Sequence, residues 1–415
     1  MRDFLGVPVH KYIILLIILV GFFYLQEGTL IAFFAFLIPF LPGLPANYIV
    51  AAAIIFVVLK QKKVTINYFM FTAYAFLLLQ LFHIFTPASS LGGFIKFSLY
   101  IILIAVILLK KDKNYNPTVI LLSYGLGVIA AFTVIISNTL KYMPLNRIFE
   151  HGIRIGNIAS VNEDFDVNDI TLTLDQNTLG YFCAIAISIF LVLLYSKKIN
   201  SILATILIVI TFIYGSLTLS RTFVVICIGV FIYYFISNMR VNKNSILATI
   251  SLFVTLMSIY IIVQAFLSDT LENLVKRFQD KDITNGRADI ILEYHEFMLS
   301  KLNHFLFGIG IQNMNVKAGF FHVPHNGLQQ IFVAGGFLGF LLFSTFMVGL
   351  YLANKPNSKG NKLIYLLPLI TLFVYIQALQ FLSPHIIMLP LIVVFCSLKI
   401  PDSLGVNWKR EFNTD

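Results

Sequence analysis

Residues 175–198 read DQNTLGYFCAIAISIFLVLLYSKK. An aspartate opens the stretch, a run without charge follows, and Lys197 and Lys198 close it. A helix needs about 20 mainly apolar residues to cross a bilayer core, and 176–195 supplies them. Asp175 stands where a helix N-cap belongs. The same pattern recurs along the chain. Candidate spans are 12–26, 46–59, 67–85, 91–109, 117–138, 176–195, 200–216, 220–237, 245–267, 327–352, 362–382 and 384–398. The expected fold is all-α: a single integral membrane domain over 1–415, polytopic, with about 12 transmembrane helices.

Composition agrees. Of 415 residues, 59% are hydrophobic and 12% charged, against about 25% charged in soluble proteins. Mean hydropathy is +0.88. The net charge of +10 resides largely in short connectors, among them Lys60, Lys62, Lys63, Lys110, Lys111, Lys113, Lys355, Lys359 and Lys362. That is the positive-inside pattern, which leaves no basic face for nucleic acid. Cys183, Cys227 and Cys396 lie inside apolar runs without metal spacing, as small buried hydrophobes do. Arg2 and Lys11 precede a first helix read as retained rather than cleaved.

With the lysines inside, twelve spans put both termini on the cytoplasmic side. The stretch TLIAFFAFLIPFLPGLPA at 29–46 complicates this. Its prolines, Pro39, Pro42 and Pro45, fit either an extra span or an external re-entrant piece. A full thirteenth span would put Arg2 and Lys11 outside, so twelve is preferred.

Two longer connectors fall on the outer face. The loop over 139–175 is basic in its first half (Lys141, Arg147, Arg154) and acidic in its second (Glu163, Asp164, Asp166, Asp169). The larger loop over 268–326 holds His295, His304, His322 and His325. Loops of this length are usually functional or disordered. Within it, Ile290, Ile291, Tyr294, Phe297 and Met298 have the spacing of an amphipathic surface helix. Asn285-Gly286 would turn into that helix and put Arg287 in its first turn.

Arg221 starts a helix at the outer membrane face if the turn falls in LTLSRT. A charge at membrane depth reads as functional by default, although an interfacial arginine can also snorkel to headgroups. Arg287 can pair with Asp289 or Glu293. Two arginines on one face could instead hold a diphosphate through bidentate hydrogen bonds. His322 and His325 have HxxH spacing, but Pro324 between them and the lack of a nearby third ligand disfavour zinc. Either histidine can serve as a general base or a structural hydrogen-bonding group. FGIGIQN at 307–313 is no dinucleotide fingerprint without a βαβ unit. Gly335, Gly336 and Gly339 suggest close helix packing.

Four pieces in order resemble the O-antigen ligase and O-antigen polymerase (Wzy/WaaL-like) superfamily of bacterial membrane glycosyltransferases. They are DQNTLGYFCAIAI, LTLSRTFVVI, TNGRADIILEYHEF with LFGIGIQN, and HNGLQQIFVAGGFLGF. The resemblance covers roughly 175–345 and implies a GT-C-like membrane fold. It also implies metal-independent glycosyl transfer, without cofactor, at the outer face of the inner membrane. The implied donor is a glycan on undecaprenyl pyrophosphate. Arg221 then holds the pyrophosphate, Arg287 is the second arginine, and His325 is the base. Asn326 as the group that orients the base is a weaker carry-over; nothing transfers to His322. A glycan acceptor, the bilayer, a chain-length regulator and a flippase are the expected partners.

The leading reading is a polymerase joining repeat units of O-antigen or capsule. The alternative is a ligase that moves the finished glycan to lipid A-core or protein. A transporter of the same lipid-linked sugars fits less well, because mid-span ionisable residues are few.

Overall fold

The computed structural model describes residues 9–60, 67–110, 115–142, 175–218, 220–239, 287–356, 362–382 and 385–401. The span expected over 245–267 and most of both long loops lie outside them. No strand occurs among the described residues.

The helices run α1 (Val9–Tyr24), α2 (Glu27–Leu37), α3 (Ala46–Leu59), α4 (Tyr68–Phe82), α5 (Leu91–Leu108) and α6 (Pro117–Tyr142). After the first long loop come α7 (Gln176–Tyr195), α8 (Ser201–Leu217) and α9 (Arg221–Met239). The second is followed by α10 (Arg287–Leu299), α11 (Leu302–Phe307) and α12 (Met314–Ala318). The chain continues with α13 (Gly327–Asn354), α14 (Lys362–Tyr365), α15 (Leu367–Ile376) and α16 (Pro390–Ser397).

Helix α7 is the axis of the bundle. Every residue from Thr178 to Leu193 is buried, as expected of a helix apolar all round. It packs against α6, α8, α9, α15 and α16. Peripheral helices instead expose an apolar stripe at helical spacing. On α9 this is Val225, Ile228, Ile232 and Ile236, from 40% to 57% exposed. Isoleucines in that register suit lipid, not water. Cys183, Cys227 and Cys396 are free and buried, as their sequence context suggested.

Five helices are long and apolar enough to cross a membrane unaided: 68–85, 91–108, 117–140, 176–195 and 327–354. Seven further apolar helices are shorter. The polytopic all-helical class therefore stands, whereas helix length does not reproduce the count of twelve among the described residues.

The 28–45 region is a helix continued by a 3-10 turn over Ile38–Gly43. At its start, Glu27 forms an ion pair with Lys110 at the end of α5, at 2.6 Å. At its far end, Pro42 lines a cavity with Asp175 and His325. Between these ends α2 lies against α6 so closely that a Cβ on Gly127 would clash with the Phe36 carbonyl. The 3-10 turn absorbs the prolines, since Pro39 enters it and Pro42 sits within. The segment thus runs from one end of the bundle to the other.

The direction of α1 relative to its neighbours follows from Lys60. The Lys60 ammonium bonds the carbonyls of Phe23 and Leu25. The end of α1 therefore lies beside the ends of α3 and α5, at the lysine end. Sixteen residues rise about 24 Å, which carries the start of α1 toward the other side. Lys399 and Pro401 share a cavity with Lys110.

Candidate active site

The N-terminal end of α7 is built first. The Asp175 carboxylate accepts from the amides of Asn177 (2.9 Å) and Thr178 (3.1 Å), capping the helix. Asn177 in turn accepts from the Ser220 hydroxyl at 3.1 Å. The Ser220 oxygen also accepts from the Phe223 amide at 3.4 Å, at the start of α9. This chain of bonds ties the first turn of α9, and with it Arg221, to the mouth of α7. Arg221 is half-buried and is the first residue of α9, where the sequence put it.

Arg287 opens α10; Asn285 and Gly286 lie outside the described residues. Of the five apolar positions expected on one face, Tyr294 and Met298 are buried, Ile290 and Phe297 are half-buried, and Ile291 is exposed. Two bonds seat the helix. The Tyr294 hydroxyl donates to the His322 carbonyl at 2.9 Å, and the Gln329 amide donates to the Ile291 carbonyl at 2.8 Å. The ion pair between Glu27 and Lys110 is the one found among the described residues; Arg287 makes none with Asp289 or Glu293.

His325 lies in the turn before α13. Asn326 caps that helix by accepting from the Gln329 amide at 3.1 Å and donates to Gln377 at 3.0 Å. Its hold on His325 therefore runs through the main chain. Gln330, fully buried, donates to the Pro324 carbonyl and accepts from the Leu382 amide, both at 2.8 Å. Two amide side chains thus fasten the histidine turn to the segment after α15. The sequence reading passed over Gln330 and Gln377. Their signal was an uncharged polar group in an apolar run, which must find a partner when buried. His322 is exposed, with its ring edge-on to Phe321.

Helix α13 is also broken. Gly336 has φ +61° within it. At the break, the amides of Ile309 and Gly310 donate to the carbonyls of Val333 and Ala334, both at 2.9 Å. Gln80 of α4 joins in, donating to the Ala334 carbonyl and accepting from the Ile311 amide. Unpaired backbone is costly at membrane depth, and the FGIGI stretch supplies the missing partners. A Cβ on Gly336 would stand 2.5 Å from the Gly308 nitrogen. Gly335 and Gly339 face Phe76 and Leu79, the close packing expected of them; Gly336 serves the break instead.

Arg287, His325, Asp175, Asn177, Thr178 and Gln380 line a cavity of about 510 Å³. Burial lowers the pKa of His325, and the charges of Arg287 and His322 lower it further, while Asp175 opposes them. The imidazole is therefore biased toward its neutral form, which can accept a proton. Burial and then the neighbouring Arg221 lower the pKa of Arg287, with Asp175 again opposing; a guanidinium keeps its charge nonetheless. Arg287 and His325, distant in sequence, thus share one cavity, and Arg221 stands near enough for its charge to act on Arg287. The arrangement offers paired cations for an anionic group and a neutral base beside them. No group of three or more His, Cys, Asp or Glu side chains that could hold a metal ion occurs among the described residues.

Residues 206–344 match the family model described as O-antigen ligase. That segment contains Arg221, Arg287, His322, His325 and Asn326, and leaves out Asp175 and the whole of α7. The match supports the superfamily that the motifs resemble. No curated protein matches the chain.

Proposed function

Because residues 206–344 match the O-antigen ligase family, we propose that the chain is a glycosyltransferase that takes its glycan from undecaprenyl pyrophosphate. The convergence of Arg221, Arg287 and His325 carries this reading. The acceptor hydroxyl gives its proton to the neutral His325 imidazole, and its oxygen bonds to the anomeric carbon of the donor sugar. The bond from that carbon to the phosphate oxygen breaks, and its electron pair leaves with undecaprenyl pyrophosphate. Arg221 and Arg287 stabilise the departing diphosphate. The histidine proton then passes to water. One in-line displacement inverts the anomeric configuration and uses no metal.

The cavity would face the outer side of the bacterial inner membrane, where a flippase delivers the donor and a chain-length regulator sets the product. The leading activity is polymerisation of O-antigen or capsular repeat units. Transfer of a finished glycan to lipid A-core or protein is the alternative. Glycan length in a deletion strain separates them. A polymerase defect leaves single repeat units, and a ligase defect leaves full-length glycan on undecaprenyl pyrophosphate. Unaltered glycans would sink both readings.

A further inference from the structure

Asp175 does more than a cap requires. It is exposed at the head of α7 and lines the same cavity as His325 and Arg287. One carboxylate oxygen accepts both capping bonds, from Asn177 and Thr178. Asp175 is thus a carboxylate held in place by the helix start, in a cavity that also holds Arg287.

The proposed base needs one. When His325 takes the acceptor proton, it becomes an imidazolium beside Arg287, with Arg221 behind it and His322 on its own turn. Like charges disfavour that state. Among the described lining residues, the segment from Ala378 to Ile387 offers only Gln380, which is neutral. His385, next in that segment, stacks against Phe97 and Tyr100. Asp175 is the anion opposing the cations around His325.

We propose that Asp175 is the electrostatic positioning partner of His325, holding the proton on the imidazole while the glycosidic bond forms. The inference rests on His325 being the base. Electrons and protons balance as before: Asp175 stays a carboxylate throughout and accepts no proton. It stabilises the charge that His325 acquires and limits the repulsion from Arg287 and His322.

The two roles of Asp175 can be separated. Asparagine caps a helix as well as aspartate does but carries no charge. Purified full-length protein would be assayed with undecaprenyl-pyrophosphate-linked repeat units extracted from the deletion strain. Asp175→Asn is expected to lower kcat about tenfold, with the acidic limb of the pH–rate profile moved to lower pH. KM for the anionic donor should not rise, because an anion has been removed from beside Arg287. Melting in detergent should stay near wild type for Asp175→Asn and fall for Asp175→Ala. Wild-type kcat with an unmoved acidic limb in Asp175→Asn would overturn the proposal and leave a cap alone. His325→Ala serves as the separate control. If it stays active, the base assignment fails; if it is dead while Asp175→Asn is normal, only the role of Asp175 fails.

Discussion

His325 combines burial with a positive neighbour, and the consequence is a pH dependence. Burial and the charges of Arg287 and His322 lower its pKa from the ordinary 6.5, so the competent neutral form predominates at neutral pH. Activity should stay level from neutrality upward and fall only on the acid side of 6.5, below the lowered pKa. A fall already beginning above neutrality would contradict this. His325→Ala should lose at least ~10²-fold in rate, the usual contribution of a positioned base. The same size of loss in His322→Ala, with His325→Ala active, would exchange their roles. Arg221→Ala should cost ~10²–10³-fold, as removal of a fixed donor at a developing charge does. Arg287→Lys is the sharper probe. Partial activity means that charge suffices, and inactivity means that the planar fork is needed. These residues were legible because each stands at a helix start or just before one, in an ordered set of motifs. Gln330 and Gln377 were not, because a buried amide shows its partner only when the fold brings it there.

At the scale of elements, α13 is the instructive case. Its sequence, GLQQIFVAGGFLGF, reads as one apolar helix with small packing residues. It contains a break at Gly336 instead, and the second outer loop fills the break. Gly336→Ala should destabilise the protein by about 1–3 kcal/mol from the disfavoured φ alone, and by more from the clash with Gly308. Thermal melting in detergent would measure it. Unchanged stability would mean that α13 straightens without loss. The α1–α2 turn was equally hidden. The apolar, proline-broken run at 28–45 fits a span or a re-entrant piece, and local signals do not choose. The choice is made by Glu27 and Lys110, 83 residues apart. Both are nearly buried, at 10% and 7% exposed, and removing one partner of such a pair typically costs ~3–5 kcal/mol. Glu27→Gln should therefore lower the melting temperature markedly, while Gln26→Ala at the exposed neighbour should not.

For the whole molecule, the class was readable from hydropathy, and the sidedness of α1 was not. A long lysine-capped run such as α7 announces a span by length and charge. The direction of short helices depends on which ends meet. A cysteine at Gln26 tests it, since the three native cysteines are buried. A membrane-impermeant thiol reagent should reach Gln26→Cys from the same side as Lys197→Cys. Labelling from the opposite side would restore the twelve-span arrangement.

The seat between Gly308 and Gly336 has a wider consequence. Ile309 and Gly310 are held there by main-chain amides on main-chain carbonyls, so the fastening does not depend on the side chains that precede Gly308. A segment of foreign sequence spliced in ahead of Gly308 can dock on the same socket, provided Gly308 and Gly336 are kept. Chimaeras that exchange 288–307 and keep Arg287 would then vary the segment beside the cavity while leaving the membrane framework intact.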